Sequence, residues 1–269
     1  MGNFIGMAFG FMITGIIVTD ESKSQIGLLM LVEAAICFVV TVLCLIWFYD
    51  KPSIPPSISA SETREPLCKS LALCLKNSNF LLVFIGFSMI QGTFATLVTL
   101  LDPIISPYGF SSTEISILGI IFILVGILGS LIVGIEVTAT SKYKLTCFIS
   151  SLLSLVTLLI FTFTLEFESL VISSFAVALV GLVSAPSASI SYEYAIELTY
   201  PVEEAVSVAI LNTGAMLFGV LQICLGYLFG NSSLAICLVC AISLAVSAIA
   251  YLLSKEVLIR AGVDSKKFG

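Results

Sequence analysis

Apolar residues run through this chain in long blocks separated by short polar clusters, and the length of the blocks decides what they form. About 20 mainly apolar residues suffice for a helix to cross a hydrocarbon core. By that measure eight helices are predicted, over 3–18, 26–48, 80–101, 115–135, 145–164, 170–192, 205–229 and 233–253. The first is short for a span. An even number of crossings puts both chain ends on one side of the bilayer.

Residues 49–79 are the one long break in the pattern. They open with Lys51-Pro-Ser-Ile-Pro-Pro-Ser and carry prolines at 52, 55, 56 and 66, which preclude a continuous helix. From Leu67 to Lys76 apolar and polar residues alternate at helical spacing, with Lys69 and Lys76 placed to meet phosphates, so an interfacial helix is predicted there. The chain thus divides into 1–48, two helices; 49–79, a linker; 80–254, six helices; and 255–269, a tail. The six later spans split into triplets, 80–164 and 170–253, the arrangement from which carrier bundles are built by repetition. Two helices stand where a matching bundle would need six.

Composition fixes the solvent. The 269 residues are 59% hydrophobic and 10% charged, with a mean hydropathy of +1.17, against about 25% charged in soluble domains. The expected medium is lipid, and the fold class is an all-α, multi-pass integral membrane protein. The basic residues orient it: Lys51, Arg64, Lys69, Lys76, Lys142, Lys144, Lys255, Arg260, Lys266 and Lys267 fall on one side, and Lys23 alone on the other. The first side is cytoplasmic, or matrix or stromal in an organelle. No basic cluster suits nucleic acid.

Metal, cofactor and hydrolytic chemistry find no footing. The chain has no histidine, and Cys237-Leu-Val-Cys240 lies in a purely aliphatic block, where cysteine acts as a small packing residue. Ser187, Ser189 and Ser191 have no convincing base nearby, so an enzyme is not expected. The initial MGNFIGMAFGF has neither the basic start nor the cleavage site of a signal peptide. Rows of small residues (Gly2, Gly6, Gly10; Gly126, Ser130, Gly134; Gly226, Gly230) suit close helix packing.

Polar residues inside the blocks carry the functional expectation, because burying them in lipid is costly without a purpose. Glu193 and Glu197 lie one helical turn apart near the end of the sixth span, seven and eleven residues after Pro186, and are read as gating carboxylates. Gln91, Asn212 and Gln222 are amides inside the later spans. Asn212, Met216 and Gly219 share a stripe of one helix, either a cavity wall or an interhelical hydrogen-bonding edge.

The stretch Ser191-Tyr-Glu-Tyr-Ala-Ile-Glu-Leu-Thr-Tyr-Pro-Val-Glu-Glu, with Ala209-Ile-Leu-Asn212, resembles the tenth-to-eleventh helix signature of the feline leukaemia virus subgroup C receptor-related family, part of the twelve-helix major facilitator superfamily. Gly2-Asn3-Phe-Ile-Gly6-Met-Ala-Phe-Gly10-Phe is similar to the start of that family's fifth helix. Lys51-Pro, Leu75-Lys-Asn-Ser-Asn-Phe80 and Thr99-Leu-Leu-Asp102 are similar to its central loop and seventh helix. The resemblance implies a partial major facilitator fold comprising helices five to twelve, and transport of a small organic solute by alternating access. Choline-like amines and haem are the substrates it suggests. It also implies a cavity lined by Phe4, Gln91, Ala95, Asn212, Met216 and Gln222. At three of these, choline-handling members place a glutamine (here Phe4), an aromatic (Ala95) and a glutamine (Met216). Two partnerships then stay open: a longer chain or partner chain supplying the missing helices, or a degenerate carrier serving as a structural subunit of a larger membrane complex.

Overall fold

A computed structural model describes residues 2–17, 25–48, 66–228 and 232–257, with the side chains of 2–4, 15–16 and 25 left out. The described residues are almost wholly helical. In order they form α1 (Gly2–Ile17), α2 (Gln25–Trp47), α3 (Leu67–Lys76), α4 (Ser78–Thr99), α5 (Leu101–Ile105), α6 (Ser112–Thr140), α7 (Tyr143–Thr164), α8 (Leu170–Ser184), α9 (Ser187–Thr199), α10 (Glu204–Leu228) and α11 (Ser233–Leu253).

Seven of the eight expected spans are long and apolar enough to cross a membrane, α8 and α9 counting together as one. The exception is α1: its 16 residues rise about 24 Å, short of a hydrocarbon core of about 30 Å. Two spans outrun their expected limits. α6 continues to Thr140 because Ser141 closes it in the left-handed region, φ 52°. The sixth span continues to Thr199 but is broken at Ala185–Pro186, where proline offers no amide to the ladder. Residues 49–65 and the tail from 258 lie outside the described residues, whereas α3 forms where the sequence pattern places it.

Local chemistry sets the helix starts. Ser111 caps α6 by accepting from Glu114 N, while Glu114 Oε2 accepts from Ser111 N at 2.8 Å, so two amides without helical partners are satisfied at once. Asn77 does three things between α3 and α4. Its Oδ1 accepts from Asn79 N and Phe80 N at 3.1 and 3.2 Å, and its Nδ2 donates to Leu198 O at 2.9 Å. One side chain thereby starts α4 and ties it to the end of α9.

Packing builds a bundle in which α4 lies against α10 and α11, α7 against α11 and α8, and α6 against α8 and α1; α9 is wedged among α4, α7 and α10. The core has two layers. The outer one gathers Ile90, Phe94, Ile104, Phe122, Phe161, Val177 and Leu244. The inner one gathers Phe80, Phe87, Cys147, Tyr194, Leu211 and Tyr251. The break at Ala185–Pro186 falls between the layers, with Ala185 in the first and Ala188 in the second. Several buried serines and threonines return a hydroxyl to the carbonyl four residues back, as Ser130 does to Gly126 and Thr199 to Ala195, which keeps these satisfied without water.

Small residues act where backbones meet. A Cβ on Gly181 would strike the Phe122 carbonyl, and one on Gly129 the Leu182 carbonyl, so α6 and α8 approach through glycines on both sides. Gly126 shares that seam, but Gly134, Gly6 and Gly10 meet nothing within 4 Å. The expected rows therefore pack only in part. Outside, the surface is apolar: α2 packs on α1, and Trp47 is 70% exposed, as lipid-facing helices are.

Candidate functional site

α4, α9 and α10 meet in the middle of the bundle, where Gln91, Tyr192 and Asn212 are half-buried beside a fully buried Ser187. Gln91 Nε2 donates to Ser187 Oγ at 2.8 Å, joining α4 to the first turn of α9. Gln91 lies about 20 Å along α4 from its Ser78 end, near mid-span. Further along α9, the Tyr192 hydroxyl donates to Asn212 Oδ1 at 2.7 Å, and Asn212 Nδ2 donates to Val208 O at 3.1 Å. Tyr192 also packs on Phe87, ring centroids 5.2 Å apart at 45°. Phe87 and Gln91 are one turn apart on α4, so the two contacts are successive rungs of one α4–α9 seam.

The stripe expected along α10 enters three different environments. Asn212 is half-buried, Met216 is 63% exposed, and Gly219 is buried against Gly92. Ala95 is half-buried beside Gly219, whose built Cβ would lie 3.7 Å from the alanine methyl. Gln222 is 3% exposed and belongs to the α4–α10 contact: its Oε1 lies 3.2 and 3.3 Å from the Thr93 and Thr96 hydroxyls, and its Nε2 donates to Met89 O at 3.3 Å. The side chain of Phe4 lies outside the described residues.

The two carboxylates of α9 also separate. Glu193 is exposed, while Glu197 is 8% exposed. The α3–α4 joint and the start of α10 cover the last turn of α9, through Asn77 on Leu198 and through Thr199 on Ser207 at 2.7 Å. Negative charge at a helix C-terminus opposes the helix dipole, so neither glutamate is there to stabilise α9.

Sequence reasoning missed Tyr192, Ser187, Phe84 and Ser88. Ser88 Oγ is buried with no hydrogen-bond partner among the described residues, and it and Phe84 face Gly214, where a Cβ would strike both. Each acts across two or three helices, and spacing along one helix carries no trace of such a pairing. The aromatic and hydroxyl content of Ser191-Tyr-Glu-Tyr was the available signal. Behind the site, Ser191 Oγ and the Tyr251 hydroxyl are 2.7 Å apart, and Ser151 and Ser247 2.9 Å apart, a buried hydroxyl cluster joining α7, α9 and α11. Cys237 and Cys240 sit in the outer apolar layer.

Comparison with known proteins agrees with this architecture. The chain is 31% identical over 238 residues to the choline/ethanolamine transporter flvcr2b of Danio rerio, covering 84% of this chain and 49% of that protein. It is 29% identical to the choline/ethanolamine transporter FLVCR2 of Homo sapiens, covering 82% and 44%. It is 28% identical to an uncharacterized MFS-type transporter of Caenorhabditis elegans, covering 81% and 39%. The chain spans about half the length, or less, of these relatives. The family model of the Major Facilitator Superfamily matches residues 1–222. Together with seven membrane-length helices, that match places this multi-pass integral membrane chain in the major facilitator superfamily.

Proposed function

We propose that this chain forms the solute-handling part of a carrier for a small organic amine, moved by alternating access. The observation that carries the reading is the polar seam of Gln91–Ser187 and Tyr192–Asn212, near the middle of the spans, in which Gln91, Tyr192 and Asn212 stay half-buried around a fully buried Ser187. Lipid gives such groups no reason to stay half-buried, whereas a solute path does. Gln91, Asn212, Ala95 and Met216 line that path; Gln222 holds α4 against α10 beside it, and Phe4 contributes from α1. Glu193 and Glu197 act at its cytoplasmic end. The relatives' names supply the class of solute to test, choline and ethanolamine, and none of the three relatives described is named as a structural subunit.

Labelled choline and ethanolamine uptake into cells expressing the protein checks this, against cells expressing Asn212→Ala and Gln91→Ala. Saturable uptake that each variant lowers by about fivefold to thirtyfold is expected, since each removes hydrogen bonds worth about 1–2 kcal/mol in a helical membrane site. Surface expression equal to the parent, with no uptake of either amine, would discard the reading.

A further inference from the structure

We propose that Tyr192 makes this site favour ammonium groups that carry N–H over fully methylated ones, so that ethanolamine is preferred to choline. The inference rests on the amine-carrier reading above and adds to it the class of amine.

The hydrogen-bond pattern carries the argument. The hydrogen of Tyr192 is committed to Asn212 Oδ1, and that of Ser187 to Ser184 O at 2.6 Å. Asn212 is thereby held on both sides, its carbonyl oxygen by Tyr192 and its amide by Val208 O. Two strong acceptors remain. Gln91 Oε1 meets no donor among the described residues, its amide nitrogen being turned to Ser187. Tyr192 Oη keeps its lone pairs, and Tyr192 is half-buried with that oxygen at the junction of α9 and α10. No lysine or arginine lies on α4, α9 or α10. The seam therefore offers acceptor oxygens to a cation, with no positive group on these three helices to oppose it.

A primary ammonium gives either oxygen a charge-assisted N–H···O bond, stronger than a neutral one. A trimethylammonium group has no N–H to give. Packing its methyls over Tyr192 Oη or Gln91 Oε1 strips water from that acceptor and returns nothing, the situation in which a polar site rejects an analogue lacking the matching donor. A quaternary cation is held instead by ring faces. Here Phe87 is 1% exposed behind Tyr192, and position 95 contributes a methyl group rather than a ring.

The test is a methylation series. Ethanolamine, N-methylethanolamine, N,N-dimethylethanolamine and choline, each labelled and at trace concentration, are offered to cells expressing the protein or Tyr192→Phe. Expected is a stepwise fall in uptake with each methyl, about tenfold from ethanolamine to choline, and a ratio that moves toward one in Tyr192→Phe. The parent series stands by itself if the variant fails to reach the surface. Choline carried as fast as ethanolamine overturns the inference and leaves amine transport intact. A Tyr192→Phe ratio equal to that of the parent, at normal surface expression, overturns the role of the hydroxyl. Uptake of none of the four amines removes the carrier reading as well.

Discussion

At the scale of single residues, two glycines of α10 separate close approach from mere absence of a side chain. A methyl on Gly214 would collide with Ser88 Oγ and the Phe84 ring, while one on Gly219 would meet Gly92 and Ala95 at 3.6–3.7 Å, an ordinary contact. Gly214→Ala is expected to destabilise the detergent-solubilised protein by about 1–3 kcal/mol, the usual cost of overpacking. Gly219→Ala is expected to be neutral or slightly stabilising, because alanine is the better helix former. Thermal unfolding of the two variants side by side checks both; equal stability would show that α4 and α10 are not packed as described. Two cysteines of α3 make a second contrast. Cys68 is exposed, whereas Cys74 is buried with its thiol 3.9 Å from Ser207 Oγ, and burial pushes that thiol up from its ordinary value. Since the thiolate is the nucleophile, maleimide at neutral pH should label Cys68 at least tenfold faster than Cys74, read by mass spectrometry of the intact helix peptide.

At the scale of elements, the broken sixth span is the part that the rest of the bundle holds in place. α9 is cut from α8 at Pro186 and then fastened by contacts to α3–α4, α7, α10 and α11. Asn77 is the fastening most easily tested, since it caps α4 and grips Leu198 together. Asn77→Ala should cost about 1–2 kcal/mol from the cap alone, and Asn77→Asp should restore the cap while losing the donor to Leu198 O. If both variants unfold at the parental temperature, the joint does not secure α9. The glutamates behave as this packing requires. They share a helix face by spacing, yet Glu197 is buried and Glu193 is not.

At the scale of the whole molecule, the medium was legible in the chain itself, and the basic residues make a testable statement of orientation. Ten basic residues against one, and apolar blocks of membrane length, are properties that lipid imposes directly on sequence. The bias of basic residues predicts α3 on the cytoplasmic side, so a membrane-impermeant maleimide should reach Cys68 in inside-out vesicles and not in sealed cells; the reverse result would invert the topology. The two-layered core with the α8–α9 break between its layers was not legible. Every span is apolar on most sides, so hydrophobic period does not say which face meets protein and which meets lipid.

The residues themselves determined that the chain is helical, that its long apolar blocks are of membrane length and which polar positions need a purpose, because each follows from local composition and the cost of polar groups in lipid. Tertiary structure alone decided what those positions touch. It set Gln222 into the α4–α10 contact, exposed Met216, separated Glu193 from Glu197 and brought Tyr192 onto Asn212. Those outcomes depend on which helices become neighbours and in what register, quantities fixed by packing between distant segments rather than by any stretch of sequence read alone.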